Sequence, residues 1–127
     1  MTDAHIDPTG AQLHTFAARA GEKDGPVQMI NLLAYVDDGA RYQEYGLAVL
    51  PHLERVGASI VYAGDADGML IGGDERPWWD AIVVVRYPSR SAMLEMVSDP
   101  GYQEVAQLRT NALRDSQLIP TDAWPEI

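Results

Sequence analysis

The chain has 127 residues, no cysteine, and 9 Lys and Arg against 19 Asp and Glu, a formal net charge of −10. That length fits one domain whose core buries roughly two-thirds of the unfolded surface without a disulfide or metal staple. The charge disfavours duplex DNA and anionic membranes as partners, and the missing thiols exclude Cys nucleophiles, disulfides and Cys-ligated metal centres.

Met1–Asp7 lacks the basic start of a targeting signal. The apolar runs Met29–Leu33 and Ala81–Val85 are far shorter than the ~20 residues of a membrane span. A cytoplasmic protein is the expectation. In chain order, Asp7-Pro8 reads as a helix start, followed by Leu13, Phe16, Ala17 and Ala20 at helical spacing and by Gly21 as a stop. Residues 1–25 thus form a helical appendage, 26–121 the main domain and 122–127 a tail in which Trp124 is expected to dock.

Val27–Tyr35 predicts a strand that is apolar on both faces apart from Gln28 and Asn31, which suits a central position. Ala40–Val56 predicts a helix with Tyr42, Tyr45, Gly46, Val49, Leu53 and Val56 along one stripe. Pro51 within it predicts a kink or break, and Gly57 the cap. Ser59–Gly64 is a second strand, with Met69–Ile71 continuing it or returning as a hairpin. Gly72–Pro77 is a loop, and Trp78–Tyr87 a third strand. Asp65-x-Asp67-Gly68 opens like a calcium loop, but Arg76 stands where the twelfth-position Glu belongs, so it reads as a turn. Ser89 caps a short helix to about Val97, Asp99-Pro100 opens another to about Arg114, and Leu118–Pro120 is a short edge strand.

Behind the appendage the order is β-α-β-β-α-β. It predicts an α+β, ferredoxin-like fold: an antiparallel sheet with its helices on one face. Both strand faces are apolar, so the uncovered face should be closed by a second copy, giving a homodimer with a cavity.

The strings Gln28-Met29-Ile30-Asn31-Leu32-Leu33, Tyr42-Gln43-Glu44-Tyr45-Gly46, Trp79-Asp80, Val85-Arg86-Tyr87-Pro88-Ser89-Arg90, Asp99-Pro100-Gly101-Tyr102 and Leu108-Arg109 resemble the family called domain of unknown function 1330. The resemblance covers about residues 26–120 and implies the dimeric α+β-barrel fold. Two positions depart from the family's commoner pattern: Ala34-Tyr35 stands for Lys-Phe, and Leu108 for His. The fold group includes cofactor-independent monooxygenases, isomerases and haem-degrading enzymes. For haem, His52 would be the one axial ligand outside the appendage.

Several residues could carry chemistry. Arg109 shares a helical stripe with Tyr102, Val105 and Leu113, which puts a guanidinium on the buried side. It fits either a structural clamp or an anchor for an anionic or carbonyl oxygen. Asp80, placed on the face of Ile82, Val84 and Arg86, fits a general acid or base, or a strand-end ion pair with Arg86 or Arg109. Asn31 fits a backbone bridge or a donor to a substrate oxygen. His52, on the flank of Tyr45, fits a proton carrier or a solvated surface residue. The expected substrate contacts are Asn31, Tyr45, Trp79, Arg86, Tyr102 and Arg109, with Asp80 and His52 moving protons. The three His have no metal-ligand spacing, so neither a metal nor another cofactor is expected. The function expected is a small-molecule pocket. It could serve a cofactor-independent oxygenase, isomerase or cyclase on an oxygenated substrate, or passive metabolite binding.

Overall fold

The structure is a computed structural model that describes residues 5–73 and 78–125. Helix α1 (Gly10–Glu22) starts later than expected. Asp7 does not cap it, because its carboxylate accepts from Thr110 Oγ1 at 3.0 Å. Thr9 does so through a reciprocal box: its hydroxyl accepts from Gln12 N–H at 3.1 Å, and Gln12 Oε1 accepts from Thr9 N–H at 2.9 Å.

Strand β1 (Val27–Tyr35) is central, as its two apolar faces predict. Gly39, at φ +99°, opens helix α2 (Ala40–Arg55). A Cβ there would also come within 2.8 Å of the Tyr35 ring, so the turn requires glycine. The helix runs unbroken past Pro51. Pro51 is exposed, so water can serve the carbonyl its ring leaves without a donor. Gly57 follows the end of α2 at φ +77°, in the role its sequence position suggests.

Strand β2 (Ser59–Asp65) pairs with β3 through a bulge between Ile60 and Tyr62. Met69–Ile71 belongs neither to β2 nor to a hairpin. Gly68 and Gly72 both have positive φ, and Leu70 and Ile71 point into solvent. Of the loop expected over Gly72–Pro77, residues 74–77 lie outside the described residues. Strand β3 (Ala81–Tyr87) begins three residues later than predicted, because Asp80 turns its carboxylate to accept from Tyr35 N–H at 2.7 Å.

Ser89 caps α3 (Arg90–Ser98), and Asp99 caps α4 (Pro100–Ala112), each accepting a backbone N–H. Strand β4 is longer than its sequence advertises, running over Leu113–Thr121. β1 has a free edge on that side, and pairing from Gln28↔Thr121 to Tyr35↔Leu113 satisfies it along its length. That demand ends α4 two residues before Arg114, whose Nε donates to the Tyr35 carbonyl at 3.1 Å.

The sheet order is β2-β3-β1-β4, antiparallel throughout. Val27, Met29, Asn31 and Leu33 alternate toward the helices, opposite Tyr87, Val85, Val83 and Ala81. Val27, Met29, Val85 and Tyr87 form a core with Tyr45, Val49 and Leu53 of α2 and Met96 of α3, while Leu33 and Ala81 form a second one with Ala112 and Leu113. Ile30, Leu32, Ile82, Val84, Tyr62 and Ile119 share the other face by the same register.

The N-terminal segment is strapped to the end of α4 and the start of β4. His5 N–H donates to Asp115, Ser116 Oγ donates to the His5 carbonyl at 2.7 Å, and Ile6 packs on Leu33, Ala81, Ala112 and Leu113. At the other end, buried Arg90 donates to both oxygens of Asp122 at 3.3 and 3.4 Å, which ties α3 to the residue after β4. Trp124 does not dock: it is 78 % exposed in the single chain.

Candidate functional site

Alternation puts helix-facing side chains of all four strands opposite α2, α3 and α4, and they do not fill the space between. A cavity of about 210 Å³ remains. Its apolar wall includes Met29, Val49, Leu53, Val83, Val85 and Met96. Asn31, Tyr42, Gln43, Tyr45, Tyr87, Tyr102 and Arg109 supply its polar groups. Gly46 of α2 also lines it, and a Cβ built there meets nothing within 4 Å. A glycine inside a helix costs about 0.5–1 kcal/mol relative to Ala, and here its missing side chain keeps the wall open.

The tyrosines form a connected set. The Tyr45 and Tyr102 hydroxyls lie 3.2 Å apart, and the Tyr42 and Tyr45 rings are 5.4 Å apart and tilted. Burial pushes the Tyr42 phenol up to about 12, against the opposing charge of the nearby Arg109 guanidinium. Burial also holds Tyr45 and Tyr87 well above the ordinary phenol value. These three phenols are therefore neutral at physiological pH.

Arg109 donates from Nη1 to the Ile6 carbonyl at 2.8 Å. Its Nη2 is buried without a hydrogen-bond partner among the described residues. Asn31 donates from Nδ2 to the carbonyl of its cross-strand neighbour Val83 at 3.2 Å, the backbone bridge that suits an amide in an apolar strand.

The residues proposed from sequence divide into two groups. Asn31, Tyr45, Tyr102 and Arg109 meet at the cavity, whereas Asp80, His52, Trp79 and Arg86 are not part of its wall. Asp80 precedes β3 instead of sharing the face of Ile82, and binds backbone. Arg86, opposite Gln28 and Ser59, is exposed on the uncovered face. Trp79 lies in the segment leading into β3. His52 sets its ring edge-on to Tyr102, with centroids 6.0 Å apart, and its Nδ1 is 3.2 Å from Arg55 Nη2. Tyr42, Tyr87 and Gly46 also line the cavity, although they are not among the expected substrate contacts; the sequence offers Tyr42 and Tyr87 only as aromatics for a pocket wall or a dimer interface. Tyr42 and Gly46 belong to the stripe that contains Tyr45, and Tyr87 to the alternation of Val83 and Val85.

No Asp, Glu or His lines the cavity among the described residues. Nor do they contain a group of three or more His, Asp or Glu placed to hold a metal ion. No described helix is long and apolar enough to cross a membrane.

Two solved structures of a protein of unknown function from Rhodopseudomonas palustris resemble the chain along nearly its whole length. One is 33 % identical, covers 95 % of this chain and 98 % of that one, and has a TM-score of 0.84. The other, of the methylated protein, is 32 % identical, covers 99 % and 100 %, and has a TM-score of 0.86. A protein of unknown function from Bacteroides fragilis, described as dimeric and ferredoxin-like, shares the fold at 9 % identity and a TM-score of 0.53, covering 78 % of this chain and 97 % of that one. No curated protein matches. The family model for DUF1330, a domain of unknown function, matches residues 28–121, and the chain belongs to that family.

Proposed function

We propose that the protein is a homodimer that binds a small oxygenated organic molecule in the cavity between its sheet and α2 and α4. The observation that carries this reading is the hollow itself: an apolar chamber with hydroxyl, amide and guanidinium donors converging on it, kept open by a glycine in mid-helix. At about 210 Å³ it is smaller than the roughly 300–1,000 Å³ of sites for drug-sized ligands, so the ligand is a small metabolite.

The wall favours capture over proton chemistry. Burial holds the Tyr42, Tyr45 and Tyr87 phenols neutral, and the wall has neither carboxylate nor imidazole among the described residues. Passive binding, or helping a partner enzyme, therefore stands ahead of catalysis. The enzyme reading keeps one specific support. The same donors can stabilise an enolate-type oxyanion, with the His52 imidazole edge-on to Tyr102.

The dimer reading rests on the uncovered sheet face, where Ile30, Leu32, Ile82 and Val84 have no covering layer in the single chain. A second copy presenting the same face is the economical cover. Native mass spectrometry of protein purified from its own host tests both parts. A dimer with a bound small molecule is expected. A monomer overturns the assembly. A ligand-free dimer to which no small molecule binds on screening overturns the pocket.

A further inference from the structure

Arg109 has a requirement that the described chain does not meet. Its Nη1 is committed to the Ile6 carbonyl, while Nη2 is sealed from solvent without a hydrogen-bond partner. Among the described residues no carboxylate pairs with it, although the ion pairs of Lys23, Arg41, Arg55 and Arg90 all find one. A guanidinium cannot relieve burial by losing its proton; the neighbouring Tyr42 hydroxyl is one oxygen within its reach, and an anion brought from outside would answer its charge as well. The charge distribution makes the same point. The chain has 19 acidic residues, and none of them lines the cavity among the described residues. A wall with one cation and no carboxylate repels no anion and attracts one.

We propose that the ligand is a small monocarboxylate with an apolar body, its carboxylate meeting Arg109 and its body lying against Met29, Val49, Leu53 and Val85. This inference rests on the pocket reading above and adds the ligand's class to it. A single cation matches a single negative charge. A phosphate dianion would leave charge uncompensated among walls that are otherwise neutral and mostly apolar. Arg is suited to the task because its planar fork matches a carboxylate. Tyr42, beside Arg109 and protonated, can add a hydroxyl donor to the same oxygens. The Tyr45–Tyr102 pair uses one hydroxyl proton between its members, which leaves the other to donate to a second ligand oxygen. Ile6 is a positioning residue: its carbonyl fixes one arm of the guanidinium and so fixes the direction of the other.

The test compares benzoate with its uncharged counterpart benzamide by calorimetric titration of the native dimer. Benzoate is expected to bind at least about tenfold more tightly. In Arg109→Gln that preference should fall to within about twofold, with benzamide affinity unchanged. Arg109→Lys keeps the charge and loses the fork, so it should retain part of the preference, and it decides the matter if the Gln variant does not fold. Gly46→Leu, which puts a side chain into the open space, should weaken both probes alike. Equal binding of the two probes by the native protein overturns the carboxylate and leaves the pocket standing. Failure of both to bind at millimolar concentration, or indifference of both to Gly46→Leu, overturns the pocket reading as well.

Discussion

The two faces of the sheet are built from the same kinds of residue and meet different ends. Val27, Met29 and Leu33 are covered by helices of their own chain, with Leu33 sealed further by Ile6 from the N-terminal strap. Ile30 and Leu32, their immediate neighbours along β1, have no such cover, and Tyr62 and Ile119 on the same face are exposed. The covered face holds a hollow with a half-buried cation in its wall. The uncovered face has an apolar centre of Ile30, Leu32, Ile82 and Val84, with polar residues such as Gln28, Arg86 and Gln117 towards its margins. The proposed ligand and the proposed partner thus fall on opposite sides of one strand, separated by a single residue step.

Substitutions aimed at each face can break this contrast. The largest effect should come from Val84→Asp, at the centre of the uncovered face. In a two-fold interface the carboxylate appears twice and each copy is buried without a partner, at a cost of several kcal/mol. Light scattering during size exclusion should report a folded monomer for the variant and a dimer for the native chain. If the variant remains dimeric, the interface lies elsewhere.

Next comes the solid end of the covered face. Leu33→Ala should lower stability to urea by about 2–5 kcal/mol, since the residue is fully buried and its neighbours cannot collapse into the space. A loss under 1 kcal/mol would mean that Ile6 and its neighbours are far looser than they look.

The tyrosines give a pH signature of intermediate size. An unfolded phenol titrates near 10, whereas burial holds Tyr42 at about 12 in the folded chain. A value raised by folding stabilises fully below the unfolded value and is lost as pH climbs through the folded one. Urea midpoints should therefore be flat up to about pH 9 and fall between pH 10 and 12, less steeply in Tyr42→Phe. An identical profile in the variant would show that Tyr42 is not buried.

Smaller still is Gly46→Ala. Helix propensity favours Ala by about 0.5–1 kcal/mol, and the new methyl meets only open space. A gain in thermal stability with ligand binding retained is expected, and a loss would mean that the hollow is filled. The smallest effect belongs to Asp122, which Arg90 and Lys23 hold below the usual carboxylate range on an exposed surface. Its contribution is present above the ordinary Asp value and is lost as pH falls through the lowered one. Asp122→Asn should therefore soften the acid limb of the stability profile only slightly, and salt should erase the difference.

Much of the frame is legible in the residue pattern. A run apolar on both faces locates β1 to its ends, and Ser89 and Asp99-Pro100 open their helices where local capping chemistry predicts. These signals depend on neighbours in sequence, so they survive without a fold. Three of the expectations that failed involve partners far along the chain. Asp7 is drawn away from its helix by Thr110, Asp80 leaves its expected strand face for the Tyr35 backbone, and the chain after Ala112 is recruited by the free edge of β1.

The candidate site follows the same division. Stripe and alternation bring Asn31, Tyr45, Tyr102 and Arg109 to the covered face, because each direction is set by its own helix or strand. Whether the space between them is filled depends on side-chain volumes from four strands and three helices at once, and no single segment carries that sum. The sequence by itself determined the order of elements, the apolar character of both sheet faces and the membership of Arg109 in a buried stripe. Only the tertiary structure decided that the stripe faces a hollow, that the guanidinium is half-claimed by a carbonyl 103 residues away, and that Asp80 and Arg86 stand outside the cavity wall. The reason is physical: periodicity fixes where a side chain points, and packing fixes what it meets there.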